Sequence, residues 1–332
     1  MTGRIGLGSV VLGRYRLDEQ VAAGGMGVLW RATDEVLAET VALKRVSFAH
    51  LGAEHADVTR ERTLREARLA AKLRGHPNVV PLYDVQVDDG DVWLVLEYLP
   101  SRSLGQLLTA NGPLDPAEAA RIGASVAHAL TAAHALGIQH RDVTPGNVLI
   151  GENGTVKLTD FGIAHSASDE RITQTNAVVG TIAYLAPEVA RGDDATSASD
   201  VFSLGATLYT AVEGQPPFGR HDNPVRMLNL VGSGIIRPPE NAGPLTPLLL
   251  RMLELDPATR PDADTLHTQL GQLAARPPVT GPATPLHQGV APPASGNGPQ
   301  AATTGPPVPA RSRRLAPLAG VLVAVALLAV VL

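Results

Sequence analysis

The stretch His140–Asn147, which reads HRDVTPGN, constrains this chain more than any other. Asp142 and Asn147 stand five residues apart with Pro145 and Gly146 between them, so the stretch is a loop. Before it, Ile122, Val126, Leu130, Ala133 and Leu136 recur at helical spacing and give one apolar face. After it come two short apolar runs, Val148–Ile150 and Val156–Leu158, turned by Glu152-Asn153-Gly154. Asp160-Phe161-Gly162 follows directly. A helix, a loop and a hairpin therefore frame three side chains that carry oxygen donors.

Upstream the pattern is strand-rich. Arg14–Leu17 opens a first strand. Val21–Trp30, VAAGGMGVLW, is a glycine-rich turn between apolar segments, a hairpin whose backbone can approach phosphates closely. An ordinary hairpin turn would read the same. Gly6-Leu7-Gly8 has no strand–turn–strand pattern around it and belongs to a tail, residues 1–14. Thr40–Val46 alternates and carries Lys44 near its end; Lys recurs only at positions 72 and 157. Val58–Leu73 predicts an exposed helix with Leu64, Ala67, Ala71 and Leu73 on its apolar side, ended by His76-Pro77-Asn78. Within it, Glu66 is placed to be a surface partner for Arg62 or Arg65. Val79–Val85 and Val92–Glu97 predict two more strands.

The second half is helical. Asp115-Pro116-Ala117-Glu118 predicts a capping box with Pro at the first helical position. Ser199–Glu213 predicts a buried helix stopped by Gly214, and two more follow at Pro244–Leu255 and Asp262–Leu273. Beyond Ala275 the composition changes. Residues 276–314 are Pro, Gly, Ala and Thr with a basic end, which predicts a linker unable to bury a core. Leu315–Leu332 is eighteen residues without a polar side chain, ~27 Å as a helix against a ~30 Å hydrocarbon core, so it predicts a membrane helix. Arg311, Arg313 and Arg314 precede it, which predicts a single-pass cell-membrane protein with its folded domain in the cytoplasm. No cleavable signal is visible at the start. The net charge of −5 speaks against nucleic acid as a partner, and the absence of Cys excludes disulfides and thiolate metal sites.

Taken in order, these segments resemble a eukaryotic-like (Hanks-type) bacterial Ser/Thr protein kinase over residues 15–275. HRD with its Asn five residues after the Asp, then DFG, then Ala186-Pro187-Glu188, then a buried helix opening on Asp200 carry the likeness. The resemblance implies an α+β bilobal fold, a small β-rich N-lobe and a larger helical C-lobe. It implies ATP with Mg²⁺ or Mn²⁺, and Ser/Thr-bearing protein substrates. Asp142 would orient the hydroxyl and accept its proton, Asn147 and Asp160 would bind the metal, and Lys44 would hold phosphates while Glu66 holds Lys44. Val21, Gly24, Gly27, Leu29, Ala42, Lys44, Glu97 and Leu99 would surround the nucleotide, with Leu96 as gatekeeper. Ala70, Leu82, His140 and Phe161 would form a packed spine, Asp200 would brace the HRD backbone, and Arg260 would pair with Glu188. Thr173 and Thr175 would be autophosphorylated, through a homodimer if in trans. Two positions depart from the pattern: Ala22 replaces a glycine, and Thr144 stands where Ser/Thr kinases carry Lys. A pseudokinase, a membrane-tethered scaffold on the same fold, is the competing class; a small-molecule phosphotransferase is a weaker third.

Overall fold

The computed structural model describes residues 5–24, 27–48, 51–161 and 180–275. Its first lobe is built on six antiparallel strands: β1 (Val10–Val11), β2 (Tyr15–Gly24), β3 (Gly27–Asp34), β4 (Glu39–Val46), β5 (Leu82–Asp88) and β6 (Asp91–Glu97). Their order across the sheet is β1-β2-β3-β4-β6-β5. Side chains alternate across the pleat. Val41, Leu43, Trp93 and Val95 join Tyr15, Leu17 and Trp30 in a cluster on one face. Val46, Val92, Leu94 and Leu96 face the other way and merge with the main core. The first hairpin is clamped where Arg14 donates to both carboxylate oxygens of buried Asp34, at 2.8 and 2.6 Å.

Helix α1 (Ala53–Ala70) crosses this sheet and tightens into a 3₁₀ turn at Ala71–Leu73. It begins five residues before the predicted start at Val58. The strand predicted from Val79 begins instead at Leu82, because Pro81 has no N–H to give to a ladder. Val79 makes a single parallel bridge to Leu158.

The second lobe is helical, with a small sheet β7-β8-β9 (Ser101–Ser103, Val148–Gly151, Val156–Leu158) at its upper edge. Its helices are α2 (Leu104–Asn111), α3 (Pro116–Ala135), α4 (Pro187–Ala190), α5 (Ser197–Glu213), α6 (Pro224–Ser233), α7 (Thr246–Met252) and α8 (Ala263–Ala274). The sequence reading passed over α2 and α6. A full capping box, Ser103 with Gln106, marks the start of α2. At α3 the box is only half formed: Asp115 accepts from Ala117 N at 2.8 Å, but Glu118 turns to Arg121. Helices α3 and α5 pack closely at Gly123, where a Cβ would come within 2.7 Å of Leu208. Nearly all of α5 is buried, and Gly214 ends it at φ 75°.

The bilobal fold, β-rich then helical, is as the resemblance implies. The predicted linker, the predicted membrane helix, and Thr173 and Thr175 all lie outside the described residues. Among the described residues, no helix is long and apolar enough to cross a membrane.

Candidate active site

The loop His140–Asn147 is held from below by helix α5. Asp200, 1% exposed, accepts from the backbone N–H of His140 and of Arg141, both at 2.8 Å, and from His134 Nε2 at 2.8 Å. Those bonds hold Arg141 at φ 66°, a conformation non-glycine residues rarely take. Thr207 Oγ1 adds a bond to Val143 O at 2.9 Å. His140 is fully buried; it accepts from Asp142 N on Nδ1 and donates from Nε2 to Thr159 O at 2.9 Å. Burial pulls its pKa down against the opposing pull of Asp200, Asp142, its bond to Thr159 and Asp160.

On this loop Asn147 Nδ2 donates to both the backbone oxygen and Oδ2 of Asp142, at 2.8 Å each. The amide nitrogen is thereby spent, and Asn147 Oδ1 remains as an acceptor. Asp142 Oδ1 is buried with no hydrogen-bond partner. A buried carboxylate oxygen left unpaired is costly unless a ligand completes it.

The first lobe supplies the facing wall. Sheet register sets Leu29 opposite Lys44, and Lys44 opposite Leu94; Ala42 lies opposite Leu96. These side chains share one face. At the hairpin end Gly27 has φ 125°, and a Cβ there would meet Arg45 O at 1.9 Å, so only glycine fits. Gly24 pairs with Gly27, while Val21 falls at a bulge and is exposed. Glu97 ends β6, donating its N–H to Pro81 O, and Leu99 follows it, accepting from Ser101 Oγ.

Lys44 Nζ donates to Asp160 Oδ1 at 2.5 Å across the two lobes. Asp160 adopts φ 65°, and Phe161 packs edge-on to His140 with centroids 4.6 Å apart. Ala70, Leu82, His140 and Phe161 are all buried, as the expected spine requires. Glu66 differs from expectation. Its carboxylate meets Arg62 at 3.3 Å and Arg141 at 3.5 Å, while Lys44 is engaged by Asp160. The helical-spacing partner Arg62 is thus realised and the Lys44–Glu66 pair is not. The reason is tertiary: Asp160 lies nearer the Lys44 ammonium than α1 brings Glu66.

The protein kinase domain family matches residues 15–269 of this sequence. The chain belongs to the protein kinase domain family. It is similar to serine/threonine-protein kinase PrkC of Bacillus subtilis, 40% identical over 212 residues, 64% of this chain and 32% of that protein. It is similar to serine/threonine-protein kinase PknA of Mycobacterium tuberculosis (H37Ra), 40% identical over 223 residues, 66% of this chain and 50% of that protein. The probable serine/threonine-protein kinase PknB of Lactococcus lactis is 37% identical over 214 residues, 64% of this chain and 34% of its own length. The matched part of the kinase therefore spans a third to a half of these relatives.

Two further features belong to the second lobe. Arg260 donates to both oxygens of buried Glu188, at 2.7 and 2.8 Å, the pairing the resemblance implies. Burial pushes the Glu188 carboxyl up, but Arg260, the backbone and Ser199 outweigh it and hold it below its ordinary value. Beside the catalytic loop lies a groove of about 1550 Å³, with Thr144, Pro145, Thr181, Tyr184, Arg102 and Arg220 in its lining. The sequence reading missed Lys157, whose ammonium donates to Glu97 at 2.5 Å. Its rarity as one of three lysines was the available signal.

Proposed function

We propose that this chain transfers the γ-phosphoryl group of ATP to Ser and Thr hydroxyls of proteins. The observation that carries this reading is the unpaired, buried Asp142 Oδ1 beside Asn147, together with the bond from Lys44 of the first lobe to Asp160. Asp142 orients the substrate hydroxyl and accepts its proton at Oδ1. Asn147 Oδ1 and Asp160 are hard oxygen donors and suit Mg²⁺ or Mn²⁺, which takes few protein carboxylates and completes its shell from phosphate. When bound, the ion neutralises phosphate charge. Lys44 supplies a second positive charge to the phosphates once it leaves Asp160. Glu97 and Leu99 receive adenine through their backbone, under Val21, Gly24, Gly27 and Leu29, with Ala42 on the same wall. The groove beside Thr144 accepts the protein substrate.

Thr173 and Thr175 are proposed sites of autophosphorylation between two copies, with Arg141 as partner of the new charge. Leu315–Leu332 is proposed to anchor the chain in the cell membrane with the kinase domain cytoplasmic. Thr144 favours one other reading, a scaffold that binds nucleotide without transfer, because the usual lysine charge is missing there.

Incubation of the full chain with labelled ATP and Mg²⁺ or Mn²⁺ decides between them. Wild type should label itself, and Asp142→Asn should lose about 10²–10⁴-fold, the cost of removing a positioned base. Asp160→Asn should lose metal-dependent transfer. Thr144→Lys should change the rate by less than about tenfold, or ~1.4 kcal/mol. Label in Thr144→Lys but none in wild type would establish the scaffold reading; equal label in wild type and Asp142→Asn would remove Asp142 from its role.

A further inference from the structure

Strand β9 joins three parts of the molecule. Its outer residues Val156 and Leu158 are buried in the core. Its backbone is bonded to the loop after α1: Leu158 N donates to Asn78 O at 2.8 Å, Val80 N to Leu158 O at 3.0 Å, and Asn78 Nδ2 to Val156 O at 2.9 Å. Two residues past Leu158 stands Asp160. The middle residue, Lys157, lies on the opposite pleat and reaches away from the core to Glu97 Oε2 at 2.5 Å. The pair is well covered, with the Lys157 side chain 13% and the Glu97 side chain 27% exposed.

Glu97 is otherwise held by one bond of its N–H, to Pro81 O at 3.0 Å, and by its register opposite Val41. Its carboxylate lies near the Tyr83 phenol, whose pKa is raised by burial and then by Glu97 and Glu39. The charge on Glu97 is paired with the Lys157 ammonium.

We infer that Lys157 is a positioning residue for the nucleotide, its ion pair with Glu97 holding the end of β6 at a fixed spacing from the strand that delivers Asp160. The inference rests on the kinase reading, in which the base sits at Glu97 and the phosphates at Asp160. One rigid ligand touching both ends binds well only when that spacing is right. Loss of the tie should weaken ground state and transition state alike, which raises KM and leaves kcat in place.

The test is a double-mutant cycle on the full chain, titrated with ATP and Mg²⁺ in a calorimeter, with transfer kinetics alongside. Lys157→Met, which keeps the aliphatic stem, and Glu97→Gln should each raise Kd and KM for ATP about five- to tenfold, roughly the worth of a partly covered ion pair. The kcat of Lys157→Met should stay within about twofold. The double variant should be no weaker than the worse single one, and Lys157→Arg should restore binding. Lys157→Met binding ATP as wild type does, or a double loss equal to the product of the single losses, would overturn the assignment. So would a fall in kcat matching the rise in KM. A wild type that binds no ATP would overturn the kinase reading itself, and this assignment with it.

Discussion

Asp200 accepts three bonds on two oxygens, and all three donors belong to the segment His134–Arg141. A carboxylate can do this because both oxygens are acceptors. An asparagine offers one acceptor oxygen and turns an amide N–H toward a backbone N–H. Asp200→Asn should therefore lower stability by ~1.5–3 kcal/mol, the scale of a buried bond to a charged group. It should also relax Arg141 from φ 66° and shift the proposed base, Asp142, for an expected ~10²-fold loss of transfer. Thermal melts and labelled-ATP assays of the variant check this; unchanged values in both would show that α5 does not shape the loop. At the same scale, Glu66 shows the limit of motif reading. Arg62 and Lys44 were both available partners in the sequence, and the helical neighbour holds it.

Three elements meet at a cluster of imidazoles: His76 from the loop after α1, edge-on to His128 from α3, which stacks on His267 from α8. Ring centroids are 4.3 Å apart for the first pair and 4.6 Å for the second. Each ring has one nitrogen in a hydrogen bond. Asn78 N donates to His76 Nδ1, His128 Nδ1 donates to Asn78 Oδ1, and His267 Nδ1 donates to Ala124 O. His76 Nε2 is left buried without a partner. Burial, then the nearby His128 and His267, lowers the His76 pKa from its ordinary 6.5; burial lowers that of His140 as well. The folded state then binds fewer protons than the unfolded state below pH 6.5, so stability is fully present above that pH and falls as pH drops toward the folded values. Glu188 adds a separate loss further down, as pH falls below its ordinary 4.5 and through its depressed folded pKa. Between about pH 7 and pH 5 the melting temperature of wild type should fall, and that of His76→Gln should fall less. Parallel melting curves for the two would rule out His76 as a contributor.

The described residues account for the protein kinase domain, and the proposed membrane anchor belongs to the sequence beyond Ala275. Leu315–Leu332 behind Arg311, Arg313 and Arg314 supports the proposed anchor. The full-length chain should sediment with membranes and resist extraction by high salt. Leu322→Arg with Leu327→Arg should release it, since each Arg near the centre of a span costs ~2.5–3.5 kcal/mol. Wild type left in the supernatant would end the anchor proposal. At this scale the division between sequence and fold is clear. The amino-acid sequence alone determined most of the strands and helices, the catalytic-loop motif, the Gly27 turn and the Asp115 cap, because periodicity, caps and close-spaced motifs act over a few residues; the Glu188–Arg260 pair, 72 residues apart, came only from the family resemblance. The sequence left out β1, β7, α2, α4 and α6 and misplaced the starts of α1 and β5, where short or polar segments carry weak periodicity. Only the tertiary structure decided that Lys44 meets Asp160, that Lys157 meets Glu97, and that His76, His128 and His267 cluster. Each of these joins residues that are far apart in the chain, and their meeting depends on sheet register and helix packing, which no local pattern encodes.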